Sequence, residues 1–130
     1  MSTKRILVVD DEIEFMTMLK FALEMGGDYE VREVYSAPRV LEVAREFKPD
    51  VILLDCMMPE MSGTAVACQI MADPGLKHTP FIFVTATVSE PVSRLDETGE
   101  QQVYLPKPLR LPQLISAITE KLVGKVKDRD

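Results

Sequence analysis

Residues 51–55 read VILLD, four aliphatic side chains in a row closed by an aspartate. A run with no polar face suits a strand buried on both sides rather than one half in water. The pattern recurs on either side in the chain. Residues 5–9 (RILVV) run into Asp10-Asp11, and residues 80–84 (PFIFV) run into Thr85-Ala86. Weaker strands are expected at residues 30–35 and 102–105, where polar content points to sheet edges.

Segments of helical period separate these runs. Phe15, Met18, Leu19, Ala22 and Leu23 share one face, and that helix is expected to stop at Gly26-Gly27. Val40, Leu41, Ala44 and Phe47 make a second stripe, opened by Pro38 and closed before Pro49. A third covers residues 64–71 and ends at Asp73-Pro74-Gly75. The clearest is Leu111, Leu114, Ile115, Ile118 and Leu122, with Pro112 in the first turn, where a missing N–H costs nothing. Residues 89–98 are the weakest: Val88, Val92 and Leu95 stand among four charges, so a short or marginally stable helix is expected there. The order is βα repeated five times. Right-handed crossovers then put helices on both faces of a parallel sheet, and ligands gather at the carboxyl ends of its strands.

With 130 residues the chain has the size of one domain, with a core expected over residues 4–123 and a short polar tail at 124–130. A hydrophobic share of 46% and a charged share of 28% suit a soluble globular protein. The net charge of −6 argues against direct nucleic-acid binding, which calls for a Lys/Arg excess. Cys56 and Cys68 lack metal-ligand spacing and read as reduced thiols. Residues 1–5 (MSTKR) do not open a signal peptide, and no run reaches the about 20 apolar residues of a membrane span. A cytoplasmic location is expected.

The polar residues that close the strands form a set. Asp10 and Asp11 follow the first strand, Asp55 the third, Thr85 the fourth and Lys107 the fifth, so all five should meet at one sheet edge. Three gathered carboxylates repel one another and call for a cation to keep them ionised. Hard oxygen ligands without His or Cys select Mg²⁺ or a similar ion over zinc. A lysine and a threonine hydroxyl beside that ion would complete a site for a phosphoryl group.

The strings ILVVDDE (6–12), VILLDCMMPEMSG (51–63), FVTA (83–86) and YLPKP (104–108) resemble the signature of response regulator receiver domains, over nearly the whole chain. The resemblance implies a CheY-like, flavodoxin-like α/β fold with a parallel sheet of order 2-1-3-4-5. It implies a domain of two-component signalling, phosphorylated on an aspartate by a histidine kinase or phosphotransfer protein. Carried over, Asp55 is the phosphoryl acceptor. Asp11 and Asp55 ligate Mg²⁺ directly, Asp10 acts largely through water, and Met57 supplies a backbone carbonyl. Lys107 and Thr85 contact the phosphoryl oxygens, and Tyr104 is the aromatic that moves inward as Thr85 is drawn to the phosphate. Tyr104 reads equally well as a half-buried strand tyrosine. Met57 and Thr87 occupy the positions where the family tunes phosphate lifetime, and neither is charged, which implies slow self-dephosphorylation.

Residues 89–101 and their neighbours are the expected switching surface. Phosphorylation-dependent dimerisation through the fourth and fifth helices is compatible with the resemblance. Ahead of the fifth strand the chain reads TGEQQVYLPKP, so Gln101-Gln102-Val103 replace the family's usual acidic turn. His78 reads as a loop residue, and the eight methionines read mostly as core or near-core filling. The domain is expected to be a switch rather than a conventional enzyme. The alternative is an aspartyl-nucleophile phosphatase or phosphotransferase of haloacid-dehalogenase type. Such enzymes carry a second Asp two residues after the nucleophile of their first strand, where this chain has Glu12, and the chain has no inserted cap. GxGxxG and P-loop patterns are absent.

Overall fold

The apolar runs become the interior strands. The computed structural model describes residues 3–57, 62–95 and 101–128. Within them the order is β1 (Lys4–Val9), α1 (Ile13–Glu24), β2 (Tyr29–Val34), a 3-10 turn (Ala37–Arg39), α2 (Val40–Phe47), β3 (Val51–Asp55), α3 (Gly63–Ala72), β4 (Phe81–Thr85), β5 (Val92–Leu95), β6 (Gln101–Pro106) and α4 (Leu111–Asp128). The sheet order is β2-β1-β3-β4-β6-β5. Its first five strands are parallel and reproduce the order expected from the resemblance.

Every residue of β3 and β4 is buried, as their unbroken apolar composition requires. Alternate side chains feed opposite faces. Leu7, Val9, Ile52, Leu54, Phe81 and Phe83 pack against α2 and α3, whereas Ile6, Val8, Leu53, Ile82, Val84 and Leu105 pack against α1 and α4. Cys56 packs toward the α2–α3 side. Gly27, at φ +81°, takes the left-handed conformation in the turn after α1. α4 continues to Asp128, so part of the expected tail is helical.

Three expectations are corrected. The helix expected at residues 89–98 is replaced by β5, which runs antiparallel to β6 with Val92 opposite Tyr104 and Arg94 opposite Gln102. Residues 96–98 lie outside the described residues. Pro91 pushes Glu90 toward extended backbone and interrupts a helical ladder, and the few apolar side chains cannot hold a helix against the sheet. Pairing with β6 satisfies the backbone instead, and Arg94 lies over the Tyr104 ring at 5.7 Å. A dimer interface built on a helix at this position is therefore not available in residues 92–95.

The second correction concerns α1. Its buried residues are Met16, Leu19 and Leu23, while Met18 is 65% and Phe21 70% exposed. Leu19 and Leu23 of the expected face are buried and Phe15 and Ala22 half-buried, so Met18 alone departs from it, with Met16 taking its place in the core. Third, Met18, Met25 and Met57 are exposed rather than core filling, although Met16 is fully buried. Met58 and Met61 lie outside the described residues.

Candidate functional site

The strand ends converge as the sequence pattern requires. Asp10 follows β1, Asp55 closes β3, Thr85 closes β4 and Lys107 follows β6. Asp10, Asp55 and Thr85 are buried, Asp11 is exposed, and Lys107 is half-buried. Carboxylate oxygens of Asp10, Asp11 and Asp55 all lie within 4.8 Å of one another. That spacing, with oxygen donors alone, fits a small hard divalent ion.

Lys107 bridges the cluster. Its Nζ lies 3.2 Å from Asp55 Oδ2, 3.3 Å from Asp10 Oδ2 and 3.4 Å from Glu12 Oε1. The Phe15 ring centroid stands 5.9 Å from the same ammonium. Two backbone amides complete the frame: Met57 N–H donates to Asp55 Oδ1 at 3.1 Å, and Glu12 N–H donates to Asp10 Oδ1 at 3.0 Å. Lys107 N–H also donates to the Thr85 carbonyl at 3.1 Å, tying the lysine to the end of β4.

Gly63 allows α3 to start against the acceptor strand. A Cβ there would lie 2.6 Å from the Asp55 carbonyl oxygen and 3.0 Å from Cys56 Cα. The helix start is capped by Ser62 Oγ, which accepts from Ala65 N–H at 3.1 Å.

Charge is left unbalanced. Burial pushes the Asp10 carboxyl up to about 6, a rise that the Glu12 amide opposes, the Asp55 charge adds to and Lys107 opposes. Partial burial works against the Lys107 charge, but Asp10 and Asp55 outweigh it and hold the ammonium above its ordinary range. Cys56, beside the acceptor, is pushed up to about 11 by burial and then by the Asp55 charge, so it stays a thiol at neutral pH.

Tyr104 is half-buried in β6, its ring stacked on Phe83 with centroids 5.1 Å apart. His78 lies in the loop before β4, away from the acceptor end. Two contributors were not assigned a place in the site by sequence reasoning. Glu12, directly after Asp10-Asp11, reaches Lys107. Phe15, placed by the sequence pattern on a packing face, borders the same lysine. Their adjacency to the Asp pair was the available signal.

A parallel sheet of this order, with carboxylates and a lysine clustered at its carboxyl end, defines a CheY-like signalling domain. The chain belongs to the response regulator receiver domain family of two-component signalling, whose sequence model matches residues 6–119. It is 33% identical over 120 residues to the polar-differentiation response regulator DivK of Brucella ovis, covering 92% of this chain and 97% of that protein. A CheY-like receiver domain protein from Methanospirillum hungatei superposes with a TM-score of 0.80 at 28% identity, covering 98% of this chain and 99% of that one. The receiver domain of a signal transduction histidine kinase from Syntrophus aciditrophicus gives 0.77 at 27% identity, covering 94% and 92%. Receiver domains are signalling modules rather than conventional enzymes.

Proposed function

We propose that Asp55 accepts a phosphoryl group from a phosphohistidine of a sensor kinase or phosphotransfer protein and that the resulting charge switches the domain's conformation. The observation that carries this reading is the placement of Lys107 Nζ 3.2 Å from Asp55 Oδ2 beside three clustered carboxylates. A carboxylate oxygen of Asp55 attacks phosphorus, the P–N bond to the donor imidazole breaks, and the donor keeps that bond's electron pair. Asp10, Asp11 and Asp55, with the backbone carbonyl of Met57, would hold Mg²⁺. When bound, the ion offsets carboxylate repulsion and supplies positive charge to the transferring phosphoryl.

Lys107 supplies the protein's own cation to the same group, and Thr85 is placed at the strand end to donate to a phosphoryl oxygen. Tyr104 is the aromatic that follows Thr85, read from its place on β6 next to Phe83. An added dianion favours whichever state brings Thr85 and Lys107 closer to it. The exposed side chains of Met18, Phe21 and, at its C-cap, Met25 lie along one face of α1, which starts two residues after Asp11, and this face is read as the docking surface for the phosphodonor. No helix among the described residues is long and apolar enough to cross a membrane. A cytosolic location fits that reading, and the output partner is a protein or an attached domain.

Incubation with acetyl phosphate and Mg²⁺ tests the assignment. The expected product is one phosphate per chain, stable in acid and labile in base. Steady turnover of a phosphomonoester without stoichiometric labelling would instead establish the aspartyl phosphatase alternative.

A further inference from the structure

The hydroxyl of Thr85 is already engaged. Thr85 Oγ1 accepts a hydrogen bond from the Thr87 backbone N–H at 3.2 Å and lies 3.0 Å from Thr87 Oγ1. A threonine hydroxyl has one hydrogen and two lone pairs. One lone pair is occupied by the Thr87 amide, and the hydrogen needs an acceptor because Thr85 is only 5% exposed. Among the described residues, Thr87 Oγ1 is the acceptor within reach. Thr87 itself is exposed and can send its own hydrogen to water. The pair can form in either sense; with Thr85 as donor its buried hydrogen is satisfied and points along its own loop.

We propose that the Thr87 hydroxyl is a latch on the switch, holding the one Thr85 hydrogen that a phosphoryl oxygen must capture. This rests on the receiver reading above and adds a competing partner to it. Thr87 touches neither the acceptor carboxylate nor the metal ligands in this arrangement, so it is a positioning residue acting through Thr85. Capture of the hydrogen by the phosphoryl breaks the Thr85–Thr87 hydroxyl bond and forms one Thr85–phosphoryl bond, leaving the donor count unchanged. The resting hydrogen bond thus opposes switching by its own free energy. The connection outward is short: Thr85 pairs with Pro106, Phe83 pairs with Tyr104, and Lys107 N–H donates to the Thr85 carbonyl.

The test is calorimetric titration of beryllofluoride with Mg²⁺ into the full chain and its variants. Thr87→Val keeps the side chain's shape and removes the acceptor, and it should bind about twofold to tenfold more tightly than the parent, the span of one net hydrogen bond. Thr87→Ala should tighten binding too, which covers a folding failure of the valine variant. Thr87→Ser should restore parental affinity. In a Thr85→Ala background, Thr87→Val should change nothing, because the coupled partner is gone. Unchanged or weaker binding by both hydroxyl-free variants would overturn the latch, as would a serine variant that behaves like valine. A folded parent that takes no beryllofluoride overturns the receiver reading itself, an outcome distinct from a failure of the latch.

Discussion

At the amino end of the sheet, Asp73 Oδ2 receives Arg45 Nε at 2.6 Å while Asp73 Oδ1 takes the Gly75 amide at 2.9 Å, and Asp50 Oδ2 takes the Arg5 amide at 2.8 Å. At the carboxyl end, Asp10, Glu12 and Asp55 converge on the single ammonium of Lys107. The Arg45 hydrogen bond, with the Gly75 amide, holds the Asp73 carboxyl below its ordinary range, whereas burial pushes Asp10 up to about 6. One end spends its carboxylates on closing loops. The other is left with more negative charge than its own cation balances, which suits a site that receives an ion and exchanges partners for Lys107.

Substitutions at the two ends should separate sharply. Asp55→Asn is expected to abolish phosphoryl incorporation from acetyl phosphate, while Arg45→Ala should label to the parental extent, as measured by intact mass. Retained labelling in Asp55→Asn would break the contrast. Next in size is backbone approach. Gly63→Ala puts a methyl against the Asp55 carbonyl oxygen, and urea unfolding should show a loss of about 2 kcal/mol. Gly75→Ala meets only Asp73 Oδ1, at 3.4 Å, and should cost within about 0.5 kcal/mol.

The two ends should also differ in the pH dependence they give the metal-free protein. Asp10 titrates near 6 when folded against an ordinary 3.8, so between those values the folded state binds more protons than the unfolded one. Stability contributed by this group therefore falls as pH rises from about 4 to about 6, by up to about 3 kcal/mol. Asp73 has the opposite sign: its lowered value gives stability above 3.8 that is lost as pH falls below it. Denaturation midpoints across pH 3–7 in Asp10→Asn and Asp73→Asn variants would resolve the two. Added Mg²⁺ should raise the midpoint more at pH 7.5 than at pH 5.

Much of this was readable from residues. The interior strands announced themselves as unbroken apolar runs, and Asp10, Asp11, Asp55, Thr85 and Lys107 were brought together because each closes or follows a neighbouring parallel strand. What sequence pattern misjudged depends on contacts made outside each segment. β5 has four residues and gains its structure from the open edge of β6, a contact no local period records. On α1, Met16 and Met18 are equally apolar, and only the docking angle of the helix decides that one is buried and the other exposed. The Thr85–Thr87 bond follows from a turn whose hydroxyl orientations leave no mark in composition.

Reductive trapping of the acyl phosphate followed by peptide mass mapping addresses the acceptor most directly. After acetyl phosphate and Mg²⁺, borohydride should convert a single aspartate, Asp55, to homoserine, in the peptide that spans β3. Conversion at Asp10 or Asp11, or at no residue of a chain that still carries phosphate, would contradict the assignment of Asp55.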